Sequence, residues 1–206
     1  MQRICVFCGS QAGTNGLYRQ AATDMGRLLA QRGYGLVYGG GHVGLMGVIA
    51  DAVLASGGEV IGVIPESMVA RELAHTRVTR LDVVSGMHER KARMASLADA
   101  FIALPGGYGT FEELFEVITW AQIGLHRKPI GLLNVAGYFD ALKALVDQAI
   151  TEGFIRSEHQ RLLTIADAPT TLLDTLGLRD ARSGPPLSPL PVGRATPCAD
   201  TVAPED

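Results

Sequence analysis

Short apolar runs alternate along the chain with longer stretches in which apolar residues recur every three or four positions. Seven runs read as strands: RICVFC (3–8), GLVYG (35–39), EVIGVI (59–64), VTRLDVV (78–84), AFIAL (100–104), PIGLLN (129–134) and LLTIA (162–166). The stretches 16–33, 43–58, 86–99, 109–124 and 137–154 carry helical spacing. Strand–helix alternation of this kind predicts an α/β fold, a parallel sheet covered by helices on both faces. Nearly continuous apolar strands fit burial on both sides. In such sheets ligands bind beyond the carboxyl ends of the strands, so the loops after the strands hold the candidate chemistry. The periodicity stops near Arg182. We therefore expect one domain over residues 1–181 and a disordered tail rich in proline, serine and alanine over 182–206.

Three of those loops are glycine turns. ALPGGYGTFEEL (103–114) places Gly106, Gly107, Tyr108, Gly109 and Thr110 between a strand and a helix. Its glycines permit positive φ and close approach of a ligand to the backbone. Thr110 can cap the helix that follows, and its hydroxyl can also donate. The first helical amides lack internal partners and carry the positive end of the dipole, which makes a cradle for phosphate. No lysine precedes the threonine, so this is not a Walker loop. The bland alternative is a tight turn with a helix cap. YGGGHVGLMG (38–47) fits the dinucleotide pattern at Gly39, Gly41 and Gly44, with Glu59 or Glu66 spaced for a ribose hydroxyl. Alone the pattern is weak, and Gly40 and Gly41 read better as a second wall of a nucleotide pocket. The first strand ends in CGSQAG, where Gly9 and Ser10 offer an amide and a hydroxyl. Three such turns at three strand ends point to one shared site.

Charge narrows the ligand. The 206 residues carry a net charge of −3 and no long basic run, which argues against a general nucleic-acid surface. No apolar stretch reaches the ~20 residues a bilayer span needs. MQRICVFCGS lacks the pattern of a signal peptide, so a cytoplasmic location is expected. Cys5, Cys8 and Cys198 are an odd set without a disulfide pattern. The C-x-x-C pair lies in a strand rather than at a helix start, and no further ligands stand at metal-site spacing; structural cysteines and no metal are expected. SGMHERKARM (85–94) opens a helix in which Met87, Met94 and, further on, Leu97 suit a buried stripe, while Arg90 and Lys91 lie near the strand-end surface. They could hold phosphate or sugar, or form a solvated basic face. His88 is an acid–base candidate. Glu112, Glu113 and Glu116 follow the glycine turn. Acids there complement the helix dipole. With phosphate held by the turn, a carboxylate one helical turn further in would face the sugar. There it could stabilise an oxocarbenium-like state and steer water.

PGGYGTFEE and MHERKARM together resemble the paired signature of the LOG ("lonely guy") family, the cytokinin riboside 5′-monophosphate phosphoribohydrolases, older descriptions of which read lysine decarboxylase. The likeness runs from about Arg3 to about Leu176. It implies a Rossmann-like, doubly wound three-layer fold and a homodimer with active sites near the interface. It also implies hydrolysis of N6-substituted adenosine 5′-monophosphates, such as the isopentenyl form, to free base and ribose 5-phosphate, with AMP a substrate or ligand and no cofactor. By motif match Arg90 and Glu113 carry over as the catalytic pair. Lys91, Glu72, the loop Gly106 to Glu112, and Thr119 carry over as nucleotide contacts. The rivals are a module that holds AMP without cleaving it, an NAD enzyme, and a pyridoxal-phosphate decarboxylase for which Lys91 is the one lysine in the pocket.

Overall fold

The structure is a computed structural model, and it describes residues 1–69 and 73–178. Seven parallel strands form one sheet in the order β4-β3-β2-β1-β5-β6-β7. They are β1 Arg3–Phe7, β2 Gly35–Tyr38, β3 Val60–Pro65, β4 Arg80–Val84, β5 Ala100–Ala103, β6 Ile130–Leu133 and β7 Leu163–Ala166. The helices are α1 Gly16–Gln31, α2 Gly44–Ala55, α3 Glu66–Val69, α4 Met87–Leu97, α5 Tyr108–Gln122, α6 Asp140–Thr151 and α7 Pro169–Thr175.

Alternation along each strand feeds two separate cores. Ile4 and Val6 of β1 point to α1, α2 and α7, where Met25, Leu29, Ile49 and Leu172 are fully buried. Cys5 and Phe7 point the other way, to Met94 of α4, Leu114 and Val117 of α5, and Leu142 of α6. Period-two side chains on a strand covered on both faces leave no polar side, which is why these strands read as continuous apolar runs. The result is a Rossmann-like, doubly wound three-layer α/β fold.

All seven expected strands and five expected helices are present. The chain also forms α3, α7 and short 3₁₀ turns at Val135–Gly137 and Ser157–Leu162. Helix α7 has only seven residues, too few to display a clear period. Pro169 starts it, where a missing N–H costs nothing, and Leu172 lies over Gly131, where a Cβ would stand 3.1 Å from the leucine. Met87 departs from the expected buried stripe of α4 and is exposed, while Met94 is buried and Leu97 partly so. The expected tail over 182–206, with Cys198, lies outside the described residues. Among the described residues no helix is long and apolar enough to cross a membrane.

The strand order turns at β1. The chain steps from β1 outward to β4 and then crosses back to place β5 on the other side of β1. The loops after β1 and β5 therefore diverge over one crevice, the position where open α/β sheets bind ligands.

Candidate active site

At that crevice the three glycine turns touch. Gly9 N–H donates to the Pro105 carbonyl at 3.1 Å, and Leu45 N–H donates to the Gly9 carbonyl at 2.9 Å. A Cβ on Gly44 would stand 2.3 Å from the Ser10 carbonyl carbon, and Gly44 adopts φ +61°, so glycine is required there twice over. The turns enclose a cavity of about 260 Å³ walled by Gly9, Ser10, Pro105, Gly106, Gly107 and the rings of Tyr18 and Tyr138. Tyr138 was not foreseen. Its hydroxyl donates to the Gly106 carbonyl, and its ring meets Tyr18 edge-on at 5.7 Å. In sequence it lies within a stretch that reads as the start of a helix, and only the 3₁₀ turn before α6 turns it back over the sheet.

The phosphate cradle differs in detail from expectation. Thr110 does not cap α5; the cap position is Gly107, and Thr110 is the third helical residue, buried. Phe111 N–H is the first amide paired within the helix, to the Gly107 carbonyl at 3.1 Å. The open amides are therefore those of Tyr108, Gly109 and Thr110, where the dipole is also positive. Nor do Gly106, Gly107 and Gly109 use positive φ. Gly106 is needed for space, because a Cβ would fall 2.1 Å from Thr110 Oγ1 and 2.8 Å from Gly9 N. At Gly107 and Gly109 a Cβ would meet nothing within 4 Å, so their bare backbone is open to a ligand. Tyr108 is almost fully exposed beside them.

Arg90 and Glu113 meet on the α4–α5 side of the sheet, outside the lining of that cavity. Arg90 Nη1 donates to Glu113 Oε1 at 2.8 Å. Arg90 Nε donates to the Val63 carbonyl at 3.1 Å, and Nη2 to the Gly39 carbonyl at 3.3 Å. A Cβ on Gly39 would lie 1.9 Å from Arg90 Nη2, so the second glycine turn is shaped around the guanidinium. Both side chains are more than nine-tenths buried. Three of the five guanidinium N–H groups are used, leaving two to meet a ligand oxygen. Glu113 Oε2 accepts no hydrogen bond among the described residues. Burial pushes the Glu113 carboxyl above its ordinary range, against the opposing pull of the Arg90 guanidinium.

Lys91 bridges the same two helices. Its ammonium donates to Glu112 and, at 3.0 Å, to Glu116. The Glu112 hydrogen bond holds the Lys91 pKa above its ordinary value. A Schiff-base lysine needs the opposite, a neutral amine at working pH. Lys91 is thus a poor anchor for pyridoxal phosphate. The ribose role of Glu59 in the dinucleotide reading also fails. Glu59 precedes β3, at the amino end of the strands, and pairs with Arg3 at 2.8 Å. Glu66 is exposed on α3. His88 is exposed and makes no hydrogen bond among the described residues. Thr119 lies on the exposed stripe of α5 with Tyr108, Glu112 and Phe115, its hydroxyl on the Phe115 carbonyl at 2.7 Å. Gly40 and Gly41 are buried in the second turn. Glu72 lies outside the described residues. Among the described residues no group of acids, histidines and cysteines is arranged to hold a metal ion.

Residues 46–176 match a family model described as "Possible lysine decarboxylase". The chain is 56% identical over 169 residues to the cytokinin riboside 5′-monophosphate phosphoribohydrolase LOG of Oryza sativa subsp. japonica, covering 82% of this chain and 69% of that protein. It is 51% identical over 175 residues to the Arabidopsis thaliana cytokinin riboside 5′-monophosphate phosphoribohydrolase LOG2, covering 85% and 82%. The chain belongs to the LOG family. Solved structures share the LOG-family fold at lower identity. The molybdenum cofactor binding protein of Rippkaea orientalis superposes with a TM-score of 0.64 at 22% identity, over 85% of this chain and 95% of that one. The molybdenum cofactor carrier protein of Chlamydomonas reinhardtii gives 0.64 at 21%, over 85% and 97%. At that identity they speak for the fold alone. The "lysine decarboxylase" description and the phosphoribohydrolase names diverge, and the paired, raised-pKa state of Lys91 in this LOG-family chain sides with the latter.

Proposed function

We propose that the protein hydrolyses the N-glycosidic bond of adenosine 5′-monophosphates, including N6-substituted ones, to free base and ribose 5-phosphate. The observation that carries the reading is the division of labour at α5. Open amides at Tyr108, Gly109 and Thr110 suit the 5′-phosphate, and a buried carboxylate follows one turn later at Glu113. Arg90 fixes one oxygen of that carboxylate and leaves the other for the sugar and water. As the C1′–N9 bond breaks, its electron pair leaves on the purine and positive charge grows at C1′. Glu113 stabilises that charge and directs water to C1′; the water's oxygen stays on the sugar and its proton reaches the purine. The two unused N–H groups of Arg90 are available to a ribose or phosphate oxygen. Lys91, Glu72, Gly9, Ser10, Gly40, Gly41, Gly106, Gly107, Glu112 and Thr119 are our nucleotide-contact candidates.

We also propose a homodimer acting in the cytoplasm. Val83, Met87, Tyr108, Phe115, Ile123 and Leu125 are large apolar side chains left exposed from β4 to the turn just after α5, and a second copy would cover them. Cys5 and Cys8 are free buried thiols, in keeping with a reducing compartment.

Incubation with AMP and with isopentenyladenosine monophosphate, followed by chromatography, tests the activity. Free base and ribose 5-phosphate in equal amounts are expected, and Glu113→Gln should make neither. Full turnover by Glu113→Gln would remove the carboxylate from the mechanism; intact nucleotide with the wild-type protein would leave a binding module.

A further inference from the structure

The turn that seats Arg90 is braced from its far side by side chains with no part in the chemistry above. Residues 73–76 run beside it as a strap. Gly41 and Ala74 form an antiparallel bridge, His42 N–H donates to the Leu73 carbonyl at 3.1 Å, and His75 N–H donates to the Gly40 carbonyl at 2.8 Å. One buried ring locks the strap. His75 is 3% exposed, and its Nδ1 accepts from Arg77 N–H at 3.3 Å. That assigns the proton to Nε2, which donates to Asp51 Oδ1 at 3.1 Å. The same oxygen takes Arg77 Nη2 at 2.7 Å. Asp51 belongs to α2, which grows out of the second glycine turn at Gly44. Strap and helix are thus tied together with Gly39–Gly41 held between them. The turn has little room of its own: Gly40 sits at φ +75° against Ile64, and the Gly39 carbonyl accepts Arg90 Nη2.

We infer that His75 is a positioning residue for the reaction. Through Gly40 and Gly39 it fixes the carbonyl that orients Arg90, and through Arg90 the carboxylate of Glu113. Only the kinetic part rests on the phosphoribohydrolase reading.

The test compares the full-length wild-type chain with His75→Ala, Asp51→Ala and His75→Gln, whose amide nitrogen can reach Asp51. Asp51 is half exposed, so its variant carries the test if His75→Ala does not fold. Amide exchange over residues 39–46, read by mass spectrometry, needs no turnover. It should quicken in both alanine variants. Among proteins that circular dichroism shows folded, KM for AMP should rise and kcat fall, with kcat/KM down on the order of tenfold to a hundredfold. His75→Gln should recover most of both readouts. A histidine that merely supports the fold would lower the folded fraction and leave KM alone. Wild-type exchange in the alanine variants overturns the latch; faster exchange with wild-type KM and kcat overturns the positioning role. If the wild-type protein itself releases no base, the phosphoribohydrolase reading fails, and exchange alone decides the latch.

Discussion

Arg90 Nη1 and Glu113 Oε1 stand 2.8 Å apart, and both side chains are sealed from bulk water by more than nine-tenths of their surface. Removing one partner from such a pair leaves an uncompensated buried charge, which costs about 3–5 kcal/mol. Arg90→Ala should therefore lower both stability and turnover. Glu113→Gln keeps a hydrogen-bond acceptor for Arg90 and should lose turnover with a smaller loss of stability. Urea unfolding and base release, measured on the same preparations, check the contrast. Wild-type stability in both variants would count against the buried pair.

The second glycine turn is fitted to Arg90, so its smallest enlargement should act at a distance from the substrate. Gly39→Ala puts a methyl group where Arg90 Nη2 now lies, 1.9 Å away. The guanidinium must move, and base release should fall by at least tenfold, as misplaced catalytic groups do. Gly107→Ala, where a Cβ meets nothing, should leave stability unchanged and raise KM for a phosphorylated substrate. A Gly39→Ala protein with wild-type kinetics would contradict the fitted turn.

The raised pKa of Glu113 gives a pH signature with a definite sign. Its carboxylate must be ionised to meet a cationic sugar. The acid limb of kcat/KM should therefore lie above the ordinary carboxylate range, with activity lost as pH falls through the raised value. The folded state holds this proton more tightly than the unfolded chain. The Glu113 contribution to stability thus declines as pH rises from the ordinary value through the raised one. A pH–rate profile whose acid limb sits at or below the ordinary range would contradict the burial argument.

Cys5 and Cys8 are both buried, and desolvation raises both thiol pKa values well above the usual range. In a Cys198→Ser protein, a thiol-modifying reagent at neutral pH should label neither in the native state and both after denaturation. Rapid native labelling would restore a redox reading for C-x-x-C.

The fold was legible because the inner strands are apolar on both faces and each long helix keeps its period. Helix α7 was not legible, since seven residues barely make two turns. The glycine turns were legible as a group, but their geometry was not. Sequence cannot tell a glycine that needs positive φ, such as Gly44, from one that needs space, such as Gly106. The cap was misjudged for a related reason: threonine is a good cap, yet Gly107 takes that place and Thr110 turns inward. Arg90 and Glu113 were singled out through the paired motifs. Their burial, and the carbonyls of Gly39 and Val63 that seat the arginine, depend on contacts between distant strands. His75 carried no motif at all, and its Asp51 partner is 24 residues away.

The central claim is that the amides opening α5 grip a phosphate and so bring Glu113 to the glycosidic carbon. Its most direct test is kcat/KM for AMP against kcat/KM for adenosine under identical conditions. The phosphate should be worth at least a hundredfold, on the order expected of a misplaced reacting centre. Equal rates on the two substrates would show that the glycine cradle does not set the reacting geometry.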